Sequence, residues 1–293
     1  SIIPPSYAIH FDNFKLAEVI FKKIYAKYKN RFSELKIDIE SLKQNDKEVI
    51  INNQYKFDYV IDCRGFPKDY SNYTMVDLPI NHCLVHAVDE PGTWKFTYHT
   101  AHENGWMFGI PLQKRQGWGY LYNDTITSKE DALKNFREIR NKDINLDNIR
   151  EYMFKPFKAN KYVNGRIMVN GNSALFYEPI EAISGGFYDT LNIFYYEYIF
   201  HKTFNEGDIN INVNYMADKY VNFISYLYRG GSTYDTDFWR YAVKICNNNL
   251  KNKKWFETIE SIKQRKEDIT RFPLSCEAWR ILDKNLYDGK TFN

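Results

Sequence analysis

The chain has 293 residues, of which 44% are hydrophobic and 17% aromatic, so it can bury one large core or two smaller ones. Its 40 basic and 37 acidic residues leave a net charge of +3, which gives no electrostatic reason to expect nucleic acid or an anionic membrane as a partner. Four cysteines without a CxxC pair argue against a disulfide framework or a zinc site, and no apolar run approaches the roughly 20 residues of a membrane span, so we expect a cytoplasmic protein.

Periodicity and turn residues in the first half predict one helix and several short strands. The helix is predicted over about 13–29, where Asp12 can cap the first turn and apolar side chains recur every fourth residue. The strands predicted up to residue 122 are Leu35–Ile39, Glu48–Asn52, Tyr55–Asp62, Trp94–Thr100, Trp106–Leu112 and Gly117–Tyr122. The second and third of these predict a hairpin, and the last three, rich in aromatic and β-branched residues, predict an antiparallel sheet.

Helical patterns dominate the second half. A capping box at Ser128 and Asp131 predicts a helix to about residue 141, and a strand over 166–169 leads into Gly171. From Ser184 onward helical periodicity continues, with helices predicted over 217–228, 237–248 and 255–264. We therefore expect an α/β (α+β) fold class, with mixed and antiparallel sheets in residues 1–186 and a helical region in residues 187–293.

The segment from Gly171 to Gly186 combines a polar turn, two glutamates and a pair of glycines at the start of a helix. Free N–H groups at a helix start attract anions and electron-rich ring edges, and glycines let a ligand approach the backbone closely. Glu181 lies one turn before that start, where burial would raise its pKa and let it accept a proton. The alternative is that Glu178 and Glu181 only cap the helix and Trp106 only fills the core.

Five motifs, in this order along the chain, resemble those of flavin-dependent halogenases of the tryptophan halogenase family. One such motif is weak evidence, whereas five in order span nearly the whole chain. The motifs are Tyr7–Asp12, Asp58–Phe66, Gly105–Pro111 followed by Leu112–Arg115, Gly171–Gly186, and Asp235–Trp239.

The resemblance implies the carboxyl-terminal part of a flavin monooxygenase-like halogenase fold, whose helical region contributes to the substrate pocket. It implies an oxidoreductase that uses FAD, as FADH2 supplied by a separate flavin reductase, together with oxygen and a halide ion. In this family the hypohalous acid formed near the flavin crosses a tunnel to a lysine and halogenates an electron-rich aromatic substrate. We expect a small indole-like or phenol-like substrate, and a homo-oligomer is left open.

The resemblance also assigns roles to residues of the Gly171–Gly186 segment. Glu181 matches the catalytic glutamate, which polarises the halogen species or assists proton removal from the ring. The backbone N–H groups of Ile183 and Ser184 match the halide site. Asn172 and Gly185 match positions that contact the flavin.

Residues of two further segments are assigned by the same resemblance. The strand with Trp106, Phe108, Ile110 and Pro111 matches the strand that separates the flavin from the substrate. Phe108 stands where the family has a second tryptophan, so the barrier is smaller at that point. Ile39 matches a strand position near the adenine of FAD.

The chain departs from the family pattern because no GxGxxG motif occurs in its 293 residues. That motif seats the FAD pyrophosphate, and the family's catalytic lysine lies in the same early part. We expect an amino-terminal segment outside this sequence to supply both, and the alternative is a protein that no longer binds FAD.

Two rival functions remain open from the sequence. A related flavin monooxygenase would hydroxylate its substrate and would not need Trp106, and a halogenase-like protein without activity would act in binding or assembly. Metal chemistry is not expected, because no third ligand converges with the histidine pairs His82/His86 and His99/His102.

Overall fold

The computed structural model describes residues 9–140 and 148–250, and within these ranges short strands are followed by long helices. The helices are α1 Asn13–Tyr28, α2 Lys129–Arg140, α3 Ile183–Tyr196, α4 Glu206–Gly230 and α5 Asp237–Asn249. The first strands are β1 Leu42–Gln44, β2 Val49–Ile51, β3 Tyr55–Phe57, β4 Val60–Asp62, β5 Tyr73–Met75, β6 His82–Val88 and β7 Tyr98–His102. The others are β8 Gly105–Pro111, β9 Gln116–Tyr122, β10 Ile149–Met153, β11 Phe157–Ala159, β12 Val163–Asn164, β13 Ile167–Val169 and β14 Leu175–Phe176.

The largest sheet is antiparallel, with the strand order β10-β6-β9-β8-β7. Its register places Phe108 opposite Gly119 and Trp118 opposite Gly109, so each large ring lies over a glycine of the neighbouring strand. A β-carbon at either glycine would collide with that ring. The two glycines therefore make room for aromatic side chains on a sheet that would otherwise be crowded.

Alternation along β8 sends its side chains to opposite faces of this sheet. Met107 packs with Tyr120 and Phe136 beneath α2. Trp106 faces the other way and belongs to the main core, with side chains from α3, α4 and α5. Strand β8 thus forms part of the wall between the sheet and the helices.

A smaller sheet contains the one parallel pair among the described strands. β4 and β13 pair with Val60 opposite Ile167 and Asp62 opposite Val169, and β12 completes the sheet. The carboxyl ends of parallel strands meet at the same edge, so the chain leaves β4 and β13 side by side. The remaining sheets have the orders β14-β11-β5 and β1-β2-β3.

One cluster of buried side chains joins the sheets to the helices. It includes Leu175, Phe187 from α3, Phe223 from α4 and Phe238 from α5, all with 0% exposure. Residues on both sides of position 186 therefore share this core, and the division of the chain there stays a prediction. No helix within the described ranges combines the length and apolarity needed to cross a membrane.

The expected α/β (α+β) class, with mixed and antiparallel sheets before the helices, is confirmed. The first helix is also confirmed, and the Asp12 side chain accepts hydrogen bonds from the backbone N–H groups of Phe14 and Lys15. The strand predicted over Leu35–Ile39 is wrong, because that segment has no regular secondary structure and pairs with no described strand. The helix predicted over 255–264 lies outside the described residues.

Candidate active site

The carboxyl ends of β4 and β13 are joined by hydrogen bonds between the segments that follow them. The Gly65 N–H donates to Oγ of Ser173 (3.2 Å), and that hydroxyl donates to the Gly65 carbonyl (2.9 Å). The Asn170 N–H donates to the Asp62 carbonyl (3.0 Å). Two motifs that lie about a hundred residues apart in sequence therefore form one edge, of the kind at which sheets bind ligands.

Three glycines leave the backbone of this region open. Gly65 and Gly171 have φ angles of +96° and +59°, and a β-carbon at either position would meet no atom within 4 Å. Gly185, in the first turn of α3, is equally open. A planar ligand such as a flavin ring could approach the backbone closely at these positions, so the residues present fit the flavin that the sequence implies.

Tyr188 of α3 holds Asn172 in place. Its hydroxyl oxygen lies 2.7 Å from Oδ1 of Asn172 and 2.9 Å from the carbonyl oxygen of Leu175. Burial raises the pKa of Tyr188, so the hydroxyl stays protonated and donates. Tyr188 could not be selected from the sequence, since its partners are identified only once α3 packs beside the polar turn.

The acidic turn before α3 has an unusual backbone. Residues Ile180–Ala182 form a single 3₁₀ turn, and Ala182 has the left-handed angles φ 48° and ψ 34°. The N-cap residue of α3 is Ala182, whose methyl side chain offers no acceptor to the N–H groups of the turn that contains Ile183 and Ser184. The backbone of Glu181 lies in the 3₁₀ turn, whereas its side chain is outside the described part of the structure.

Glu178, at the start of the same segment, is buried in the core with 2% exposure. Its Oε1 accepts a hydrogen bond from the Ile180 N–H (3.1 Å), and its Oε2 accepts one from the Tyr228 hydroxyl (3.0 Å). The Tyr228 oxygen in turn accepts the indole N–H of Trp106 (2.6 Å). Glu178 therefore contacts Tyr228 in addition to the first N–H of the 3₁₀ turn.

A cavity of about 120 Å³ lies between the antiparallel sheet and the helices. Trp106 and Ile180 both line it, so the strand motif and the residue directly before Glu181 meet at one place. Its lining includes His99, Thr100, Trp106, Ile180, Tyr228 and Trp239.

Aromatic rings and an imidazole shape this cavity. The rings of His99 and Trp106 meet edge-on with centroids 5.4 Å apart. His99 is exposed on the open side, yet desolvation by the surrounding protein lowers its pKa. Trp239 from the Asp235–Trp239 motif supplies an apolar wall, and its indole N–H donates to the His102 carbonyl (2.7 Å).

The other residues assigned to the barrier lie farther along β8. The Phe108 ring is 6.3 Å from that of Trp106 and lies over Gly119. Ile110 and Pro111 follow on the same strand but are not part of the cavity lining. Of the four barrier residues, Trp106 alone lines the cavity.

Ile39 lies away from these contacts. It is 37% exposed, in the irregular segment before β1. Asn52, in the β2–β3 turn, holds this segment by accepting hydrogen bonds from the N–H groups of Glu40 and Ser41 and donating to the Asp38 carbonyl. The assignment of Ile39 to the adenine stays a prediction.

The described residues contain no cluster of three or more His, Cys, Asp or Glu side chains that could hold a metal ion. His82 instead lies beside Asn81, with Nδ1 and Oδ1 3.0 Å apart. The cysteines described by the structure, Cys63, Cys83 and Cys246, are free thiols.

Solved structures with the same fold come from flavin-dependent halogenases. A tryptophan halogenase from Shewanella frigidimarina superposes with a TM-score of 0.75 at 16% identity, over 94% of this chain and 57% of that one. A tryptophan 6-halogenase from Streptomyces toxytricini gives 0.74 at 22% identity, over 93% and 57%. The chain therefore has the fold of a flavin-dependent halogenase.

Sequence comparisons define the family. The family model for tryptophan halogenases matches residues 3–274. The tryptophan 7-halogenase of Lentzea aerocolonigenes is 24% identical over 97% of this chain and 55% of its own length. The chain belongs to the tryptophan halogenase family, and it spans about half the length of the curated relatives it matches.

Proposed function

We propose that this protein is a flavin-dependent halogenase that uses FADH2, oxygen and a halide to halogenate a small electron-rich aromatic substrate of the indole or phenol type. The observation that carries the proposal is the shared cavity, where Trp106 of β8 meets Ile180 of the glutamate turn. A hydroxylase would have no need for a bulky indole at that position.

The polar edge beside α3 supports a flavin site. Asn172 is held by Tyr188, and Gly171 and Gly185 leave open backbone beside it. In our proposal these three residues hold the flavin ring. When bound, the reduced flavin supplies the two electrons with which oxygen is activated for halide oxidation.

The start of α3 supports a halide site. The N–H groups of Ile183 and Ser184 belong to a helix start whose N-cap residue, Ala182, has no side-chain acceptor, and such groups carry the positive end of the helix dipole. Backbone donors do not depend on the Ser and Thr side chains that the family usually has here. We therefore assign the halide to these two N–H groups.

The cavity supports the substrate site. Trp106 and Trp239 present two indole rings, which suit a planar aromatic molecule. Glu181 is the next residue in sequence after Ile180, which lines the cavity, and we assign its carboxylate to orienting the halogen species and accepting the ring proton. Trp106 separates this site from the flavin, so substrate does not contact the reduced ring.

The reaction also needs a supply of FADH2, for which we propose a separate flavin reductase as functional partner. The free thiols Cys63, Cys83 and Cys246 fit a reducing compartment. We propose the cytoplasm, where such a reductase has its nicotinamide substrate.

The test uses the complete protein with FAD, a flavin reductase, bromide and a panel of indoles and phenols, with products identified by mass spectrometry. Glu181→Gln should lower the rate of bromination by at least about a hundredfold while flavin oxidation continues, the size typical of losing a general acid–base group. Glu130→Gln, on the exposed first turn of α2, is the matched control and should leave the rate unchanged. Hydroxylated product that forms equally well without halide would show a monooxygenase instead.

A further inference from the structure

We propose that Tyr228 and Glu178 are positioning residues that hold the Trp106 indole in place as the barrier between the flavin and the substrate. The proposal deepens the function above and rests on it. It assigns different roles to the two glutamates of the acidic segment. Glu178 acts through Tyr228 and Trp106, and Glu181 acts at the substrate.

The three side chains form one continuous hydrogen-bonded chain. The Trp106 Nε1–H donates to the Tyr228 hydroxyl oxygen (2.6 Å), and the Tyr228 O–H donates to Glu178 Oε2 (3.0 Å). Trp106 is 4% exposed, and Tyr228 and Glu178 are each 2% exposed. Water cannot replace a member of this chain without rearrangement of the core, so the contacts fix the ring more firmly than exposed ones would.

The direction of each hydrogen bond is fixed by chemistry. An indole N–H can only donate, so the Tyr228 oxygen must accept, and the Tyr228 proton is left to point at the Glu178 carboxylate. Burial, followed by the neighbouring carboxylate, holds the pKa of Tyr228 well above its usual value, so the hydroxyl remains a donor. Glu178 is itself oriented by the Ile180 N–H at its other oxygen (3.1 Å).

This chain connects the barrier to the catalytic segment. Trp106, Tyr228 and Ile180 all line the cavity. The carboxylate that binds the Ile180 N–H also ends the chain that holds Trp106, so the ring and the Glu181 turn share one anchor. Loss of that anchor frees the indole to rotate away from its place, and halogenating species then escape before they meet the substrate.

The test measures coupling, defined as halogenated product formed per FADH2 oxidised, in the complete protein. Tyr228→Phe leaves the Trp106 N–H buried without an acceptor and should lower coupling by about tenfold. Glu178→Gln replaces one of the two accepting oxygens by an NH2 group, which must face either the Ile180 N–H or the Tyr228 O–H, so it should also lower coupling, and full coupling in this variant would overturn the role of Glu178. Tyr120→Phe is the control, because it removes a buried hydroxyl from the opposite face of the sheet, where its oxygen lies 3.2 Å from Oδ1 of Asn135.

A double-mutant cycle separates positioning from a general loss of stability. Trp106→Phe removes the N–H, so adding Tyr228→Phe to it should cause no further loss of coupling. Losses that multiply in the double variant would overturn the proposal, as would full coupling in Tyr228→Phe alone.

A readout without turnover distinguishes this proposal from the function on which it rests. In the long-wavelength tryptophan bands of the near-ultraviolet circular dichroism, where tyrosine does not absorb, Tyr228→Phe should change the spectrum in the wild-type background and leave it unchanged in the Trp106→Phe background, since the Phe ring keeps the ring contact with Trp239. If the wild type forms no halogenated product, the proposed function fails, and this spectrum still decides whether Tyr228 positions Trp106. Identical spectra of wild type and Tyr228→Phe would refute the positioning.

Discussion

Replacing Gly171 by alanine tests whether the edge beside α3 holds the flavin. Gly171 has a φ angle of +59°, in the left-handed region that residues with a β-carbon avoid at a cost of about 1 kcal/mol. The new β-carbon would meet no protein atom within 4 Å, so no clash adds to this conformational cost. We expect Gly171→Ala to lower the free energy of unfolding by only about 1 kcal/mol.

The same methyl group would stand where the flavin ring approaches the backbone. One extra carbon in a ligand site typically changes binding by at least about tenfold, so FAD affinity should fall by at least that much. Gly165→Ala is the matched control, since Gly165 has the same φ angle of +59° but lies in the turn between β12 and β13. Its β-carbon would lie 2.8 Å from Oε1 of Gln44, whose amide is hydrogen-bonded to the Asn164 carbonyl and the Arg166 N–H, so this side chain has to shift.

Urea denaturation of both variants gives the stability loss, and titration of FAD followed by quenching of its fluorescence gives the affinity. We expect Gly165→Ala to lose at least as much stability as Gly171→Ala, because its β-carbon also displaces Gln44, and we expect weakened FAD binding for Gly171→Ala alone. Wild-type affinity in Gly171→Ala would refute the assignment of this edge to the flavin.

Two further predictions concern the helices and the cavity. Phe187→Ala removes a side chain with 0% exposure from the core and should lower the free energy of unfolding by about 3–5 kcal/mol in urea denaturation. The control Ile193→Ala, at a position with 60% exposure, should cost less than about 0.5 kcal/mol, and equal losses would contradict the described packing of α3. Desolvation lowers the pKa of His99 below its ordinary value of 6.5, so its contribution to stability is present above that pH and is lost as the pH falls through the folded-state pKa. The urea midpoint of His99→Asn should therefore decline less than that of the wild type between neutral and acidic pH, and parallel declines would contradict the lowered pKa.

Much of the local structure could be predicted because it depends on near neighbours. Ser128 accepts the Asp131 N–H (3.1 Å) at the start of α2, as the capping pattern indicates. The hairpin of β2 and β3 forms around the predicted turn, although the strand expected over Tyr55–Asp62 is divided into β3 and β4. Leu35–Ile39 has a strand-like composition without a strand partner, and sequence composition does not report pairing.

The contacts that complete the candidate site could not be predicted because they join distant segments. Trp106 and Tyr228 are separated by 122 positions, and Gly65 and Ser173 by 108. Nothing in the residues near Tyr228 marks it as the partner of an indole, since tyrosine is common in this chain. The motifs located the polar edge and the barrier strand, whereas packing of α4 on the sheet supplied the residue that connects them.

The left-handed backbone of Ala182 makes the glutamate turn sensitive to the packing of α3. A residue with a β-carbon holds that conformation only because its surroundings compel it, at a cost of about 1 kcal/mol. The conformation of Ala182 is held by the packing of the buried Ile183 and Phe187, which dock the first two turns of α3 into the core. The turn that carries Glu181 is thus strained before any ligand arrives, and weakened packing of α3 releases that strain locally. Amide hydrogens around Ala182 should therefore exchange with solvent before those deeper in α3, so substitutions far from the cavity alter this segment before they unfold the protein.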